Sequence, residues 1–244
     1  MSKEILFIYL VFFVLAAWTW VSPTVRESAL RRNFTQWQLD FIGLTIHGTM
    51  VPLFQTFVIF EGLSVLFPQG RGTVSLPALL SFLLNFVVVD YLYYWNHRGL
   101  HLSQVWRYHS VHHSGESFDV FTTSRNSALS SFLILYVWVN GLCLYLLEDP
   151  VPFAWGVAIS NGLDLLRHAR IESWLEFFPF NLFISSKEHA WHHSRDRYGV
   201  NFGGNFNLWD RCHGTYYSNN EMPEQIGSPL QEENLWVAFW KGSQ

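Results

Sequence analysis

Residues 5–21, 41–67, 74–95 and 129–147 are largely apolar runs, each close to the roughly 20 residues that a helix rising 1.5 Å per residue needs to cross a hydrocarbon core. In lipid every backbone polar group must be satisfied within the segment, so runs of this kind are expected to be helices. A fifth run, 151–166, is shorter and carries Asn161 and Asp164, so it either crosses or re-enters. In both cases the hairpin through Glu148-Asp149-Pro150 returns the chain to the side it left. The first run is expected to be a retained helix rather than a signal peptide. Only Lys3, beside Glu4, precedes it, and Ala17-Trp18-Thr19-Trp20 offers no small-residue cleavage site. The expected fold class is all-α: an integral membrane helical bundle of four to five membrane helices with a cytosolic helical cap. Composition agrees, with 50% apolar and 14% charged residues against about 25% charged in an average soluble domain. No repeat or low-complexity linker announces a second domain, so residues 1–244 are read as one membrane domain.

Lys and Arg sort the loops into two sides. The segments 22–40, 96–128 and 167–244 hold thirteen of the fifteen, and only Lys3 and Arg71 fall opposite. Loops left on the cytoplasmic side carry the positive excess, so this side is expected to be cytoplasmic, in a bacterial inner membrane or the endoplasmic reticulum. A net charge of -4 supplies no broad basic field for nucleic acid. Cys143 lies in an apolar run and Cys212 in a polar tail, which suggests neither a disulfide framework nor a thiolate metal site. In the tail, 218–244, the stretch Leu235-Trp236-Val237-Ala238-Phe239-Trp240-Lys241 is amphipathic and expected to lie at the membrane interface.

Ten of the eleven histidines fall on the predicted cytoplasmic side, nine of them in clusters or beside them and His213 in the tail. His97 and His101 are four residues apart at a helix end, which puts both imidazoles on one face about a turn apart. His109-Ser-Val-His112-His113 and His189-Ala-Trp-His192-His193 repeat one HxxHH pattern 80 residues apart. Spacings of three and four project from one helical face, so each triad can address two metals. With His168 the set offers nine nitrogens and no cysteine, more than one tetrahedral zinc site takes, and two metals fit the count better. Imidazole suits Fe, Zn, Cu and Ni alike, so the ligand type is fixed and the element is not.

The order HxxxH, HxxHH, a lone His, HxxHH, followed by Asn201-Phe-Gly-Gly-Asn-Phe-Asn-Leu-Trp209-Asp210-Arg211 and Gly214-Thr215, resembles the fatty acid hydroxylase and sterol desaturase superfamily. The resemblance runs over about 82–217, and residues 1–80 match only as generic membrane helices. It implies a non-haem di-iron membrane enzyme that uses O2 to hydroxylate or desaturate a lipid-like substrate entering from the bilayer. The metal ligands it implies are His97, His101, His109, His112, His113, His168, His189, His192 and His193. One departure stands at the lone histidine, where Arg170 occupies the position that usually holds Asn. Such chemistry consumes two electrons per turnover, and no dinucleotide motif, Fe-S or haem domain is visible in the chain. An external donor, cytochrome b5 or ferredoxin with its reductase, is therefore implied.

Among other candidates, Asp90 lies seven residues before His97 on the same helical face and could accept a ligand's free N–H, with Asp119, Glu188, Asp196 and Asp210 as further acceptors. His47, early in the second apolar run, is a candidate as an intramembrane ionisable group, and His213 a weaker one in the tail. Trp95, Trp106, Trp191 and Trp209 are expected to pack around the site. Three other functions compete for the same residues. A zinc hydrolase would use Glu188 as general base. A metal carrier would place ligands at mid-membrane. A bis-histidine haem protein would want histidine pairs inside spanning helices, where only His47 is a candidate.

Overall fold

The computed structural model describes residues 2–171, 181–228 and 234–243. Ser2 caps the first helix, α1 (Lys3–Val21), by accepting from the backbone N–H of Ile5. Pro23 opens α2 (Pro23–Leu30) in the first turn, where its missing N–H costs nothing. A capping box between Asn33 and Gln36 starts α3, which runs 33 residues from Phe34 to Leu66. Within α3 the stretches Ile46–Met50 and Gln55–Phe60 widen to π geometry on either side of Pro52, whose ring nitrogen cannot donate to the helix ladder. Then follow α4 (Ala78–Leu100), α5 (Ser103–His109), α6 (Leu135–Leu146), α7 (Val151–His168), α8 (Ser186–His192), α9 (Leu208–His213) and α10 (Leu235–Lys241). Among the described residues there is no strand beyond three isolated bridges.

Three helices, α1, α3 and α4, are long and apolar enough to cross a membrane, and α6 is a shorter apolar helix. The boundaries differ from expectation at three places, the third run being helical over Ala78–Leu100 rather than 74–95. The second run starts at Phe34, because the capping box lies there rather than at the onset of the apolar stretch. The run 129–147 divides into a single turn at Ser130–Leu133 and α6, with Ile134 extended between them. Residues 151–166 form one continuous helix, α7, that carries His168 at its end and is not among the three helices long and apolar enough to cross.

The outer faces explain themselves only in lipid. On α1, Leu10 and Phe13 are 61% and 66% exposed, and on α3 Leu66 is 83% exposed, whereas a soluble helix turns an apolar stripe inward and a polar face outward. Helix packing uses small residues and paired amides, as expected where lipid tails compete equally for apolar surface. α7 lies between α1 and α4, and a Cβ at Gly156 would sit 3.0 Å from the Phe82 carbonyl oxygen on α4. Asn85 of α4 donates to Asn140 of α6 at 3.0 Å. One apolar cluster joins Leu15, Leu165, Val120 and Phe121, and a second joins Val89, Leu147 and Phe153.

The segments 101–128 and 181–228, with α5, α8 and α9, form a cap over one end of the bundle. α10 rests on α3 and α5, burying Ala238 and Phe239 while Trp240 stays exposed.

Candidate metal centre

Nine imidazoles converge beneath the cap in two groups. The first is His97, His101, His109, His113 and His192; the second is His112, His168, His189 and His193. Within each group one nitrogen from every ring lies within 4.8 Å of all the others. Each HxxHH triad divides between the groups, and the two divide in opposite senses. His109 and His113 go to the first group with His112 in the second; His189 and His193 go to the second with His192 in the first. Four elements supply the rings: the end of α4, the α5 segment, the last turn of α7, and α8 with the residue after it.

Backbone oxygens fix ring orientation. The Nδ1 atoms of His97, His112, His168 and His192 face the carbonyl oxygens of Phe202, Arg125, Asp164 and Val200 at 2.9, 3.0, 2.9 and 2.7 Å. A proton held at Nδ1 leaves Nε2 as a lone-pair donor pointing inward. The Nε2 atoms of His97, His101, His109, His113, His192 and His193 are buried and without a hydrogen-bond partner among the described residues. Those of His168 and His189 face one another at 3.1 Å. So many orphaned buried nitrogens would be costly in an ordinary core, and a bound metal would satisfy them. Burial, followed by the neighbouring imidazoles, also disfavours protonation. His112 is pushed down to about 3 and His192 to about 4, and His101, His109, His113, His189 and His193 lie well below the ordinary value. At neutral pH these rings are therefore uncharged, the form that ligates metal.

The motif Asn201–Asp210 clamps the loop that supplies the Phe202 oxygen. Asp210 accepts from the N–H groups of Phe202 and Gly203 at 2.8 Å each and from Thr215 at 2.7 Å. Asp90 accepts from the Asn205 N–H at 2.6 Å and the Trp209 indole at 2.7 Å. A Cβ at Gly204 would collide with the Asp90 carboxylate, and one at Gly203 with the Phe206 carbonyl. Both carboxylates thus act through the Phe202 loop, one step removed from His97. The expected direct bond from a ligand imidazole to Asp90 is not formed, because the Asn205 and Trp209 donors occupy its oxygens.

The other candidates are placed as follows. Glu188 closes a capping box with Ser185 at the start of α8 and accepts from Tyr216 at 2.7 Å, which turns it away from the histidines. Asp119 caps a short turn and pairs with Arg32 at 2.8 Å, and Asp196 is exposed. His213 stacks on Tyr91 and Tyr94, outside both histidine groups, and His47 faces Ser131 at 3.3 Å. Cys143 and Cys212 are free thiols. Of the four tryptophans only Trp106 packs on ligand-candidate rings, those of His101, His109 and His113. Water exclusion falls instead to Phe202, against His97, His101 and His192, and to Phe118, against His168, His189 and His193.

Sequence reasoning missed a buried ion network. Arg125, whose carbonyl faces His112, donates through Nε to Asp40 at 2.6 Å, and Asp40 also holds Arg32 at 2.6 Å. No local pattern marks a pair 85 residues apart; the one available signal was a carboxylate inside an apolar helix beside two arginines in the flanking segments.

The fatty acid hydroxylase family profile matches residues 82–215, more than half of the 244-residue chain. The chain belongs to that family. It is 29% identical over 171 residues to the ornithine lipid hydroxylase of Rhizobium tropici, covering 62% of this chain and 50% of that protein. It is 28% identical over 171 residues to the alkylglycerol monooxygenase of Homo sapiens, covering 64% of this chain and 37% of that protein. Against the Delta(7)-sterol 5(6)-desaturase of Gibberella zeae it is 29% identical over 157 residues, covering 59% and 38%. The alignments thus span half or less of these relatives' own length. No solved structure matches the chain.

In this member of the fatty acid hydroxylase family a cavity of about 310 Å³ leads from the bundle to the histidines. α1, α3, α6 and α7 wall it, and His97, His109, His112, His168 and His189 close one end. The volume falls within the usual range for small-molecule sites, roughly 300–1,000 Å³.

Proposed function

We propose that this chain is a membrane-bound di-iron oxygenase that hydroxylates or desaturates a C–H bond of a lipid-like substrate, using O2 and two electrons from an external donor. The observation that carries the reading is the division of nine imidazoles, six of them with a buried Nε2 that has no hydrogen-bond partner among the described residues, into two groups at the closed end of a membrane cavity. Relatives named for lipid hydroxylation and desaturation support the same class.

In this reading His97, His101, His109, His113 and His192 hold one metal, and His112, His168, His189 and His193 the other. A bound redox pair would supply O2 activation and the oxidising power to break an unactivated C–H bond. The chain's own residues do the rest. The carbonyls of Phe202, Arg125, Asp164 and Val200 hold protons on Nδ1 and aim Nε2 inward. Phe118 and Phe202 cover the groups and keep water out. The cavity admits the substrate from the bilayer side and ends at the histidines. The excess of Lys and Arg on the same side as the histidines supports a cytoplasmic site.

Glu188, engaged in the α8 capping box, lies outside both histidine groups, and neither group contains a carboxylate among the described residues. Both facts favour the oxygenase over a zinc hydrolase, which would need a general base at the metal.

Detergent-purified protein, expressed with a Mössbauer-active iron isotope, is expected to hold two irons per chain that oxidise on reaction with O2 after reduction. Tightly held zinc with no redox response would overturn the proposal. Turnover is expected only with cytochrome b5 or ferredoxin and the matching reductase present; product formed with NAD(P)H and this chain alone would exclude the external donor.

A further inference from the structure

The cavity wall is not uniformly apolar, and its polar groups are arranged. The face that α7 turns to the cavity reads Val157, Asn161, Asp164 and His168, a spacing of four, three and four that keeps one helical stripe inward. His168 belongs to the histidine centre. Asp164 is held by Arg167 at 2.7 Å. Asn161 makes no hydrogen bond among the described residues and is exposed, its amide free to meet whatever occupies the cavity it lines. Asn140 of α6, on the same cavity, gives its Oδ1 to Asn85, and no acceptor meets its Nδ2 among the described residues. On the π-widened turn of α3, His47 uses Nε2 toward Ser131, and its Nδ1 has no partner among the described residues. Wide turns of this kind recur at functional sites.

Polar groups that line a membrane cavity carry a desolvation cost when a purely apolar chain fills it, a cost that leucine or valine at the same positions would avoid. Three of them, from three helices, lining one cavity, are explained by a ligand that brings its own hydrogen-bonding group. Seven residues separate Asn161 from His168, which places the amide about 10 Å from the histidine along the helix.

From this arrangement we infer that Asn161, with Asn140 and His47, forms a polar subsite for the substrate. The substrate class is then a lipid that carries a hydroxyl, ether, ester or amide group roughly 10 Å from the carbon that is oxidised, rather than a plain hydrocarbon chain. The inference rests on the reading of this cavity as the substrate site.

Asn161→Leu is a clean probe, being nearly isosteric and breaking no protein hydrogen bond among those described. Binding of radiolabelled dodecanol and dodecane to wild type and variant, in nanodiscs of one lipid composition, tests the subsite without turnover. Wild type is expected to bind dodecanol about tenfold more tightly than the variant, the size of one net hydrogen bond, while dodecane binds both alike. Equal dodecanol affinity in the two proteins, or dodecanol bound by neither, overturns the subsite and leaves its polar groups to water. Metal content of the same samples reads the oxygenase assignment separately. Metal-free protein that keeps the tenfold difference would retain the subsite and remove the oxygenase, and metal-loaded protein without the difference would do the reverse.

Discussion

Replacing His112 or His192 with alanine is expected to abolish lipid oxidation and to remove about one metal ion per chain, with the loss falling on a different site in each case. The two residues belong to different groups, His112 with His168, His189 and His193, and His192 with His97, His101, His109 and His113. Each truncation also strips the imidazole that faces a backbone oxygen, that of Arg125 or Val200. An orphaned buried carbonyl costs about 1–3 kcal/mol, so some loss of thermal stability is expected alongside. Metal analysis and Mössbauer spectra of the reduced proteins check the assignment. Retained turnover in a variant that has lost its metal would sink the mechanism. Two variants that lose the same iron signal would sink the division into two groups.

The second large effect is expected at Asp40, which touches no ligand-candidate ring. Its carboxylate bridges Arg32 and Arg125 in full burial. In Asp40→Ala, Arg32 retains Asp119, while Arg125 is left with a single 3.4 Å bond to the Gln36 carbonyl. Removing one partner of a buried pair typically costs 3–5 kcal/mol, because the remaining charge is uncompensated. The strain is delivered to the Arg125 carbonyl and hence to His112, so metal affinity of the four-histidine group is expected to fall about 10–100-fold while the five-histidine group is spared. Thermal unfolding and metal titration read the two effects separately. The double replacement Asp40→Leu with Arg125→Met removes both charges and is expected to recover most of the stability. Equal loss of both metals in Asp40→Ala would mean that the network merely holds the fold.

The helices and the clustering of the histidines were legible because they rest on local regularities. A run of apolar residues near 20 long admits few structures other than a membrane helix, and α1, α3 and α4 follow. Histidines three and four apart must share a helical face whatever surrounds them, so HxxxH and the two HxxHH triads announced convergence before any coordinates. The carboxylates were misread for a related reason. Asp90 shares a face with His97 in sequence, but helical phase says nothing about which donors arrive from elsewhere. Asn205 and Trp209, more than 100 residues on, take its oxygens first. Glu188 carried a signal that could have been used, since Ser185 three residues before it forms a capping box.

By itself, then, the sequence determined the membrane setting, the imidazole chemistry of the cluster, and the faces from which the rings project, since each depends on hydropathy, residue type or helical period over a few turns. Only the tertiary structure decided how nine rings divide into five and four. That division depends on the rigid placement of the α4 end, the α5 segment, α7 and α8 against one another. Tertiary packing likewise chose the carbonyls that orient the rings, the phenylalanines that cover them, and the Asp40 network behind His112. Apart from the Asp164 and Val200 carbonyls, four and eight residues from His168 and His192, these are contacts between residues 13 to more than a hundred positions apart, and their energies come from burial and geometry that no local pattern encodes.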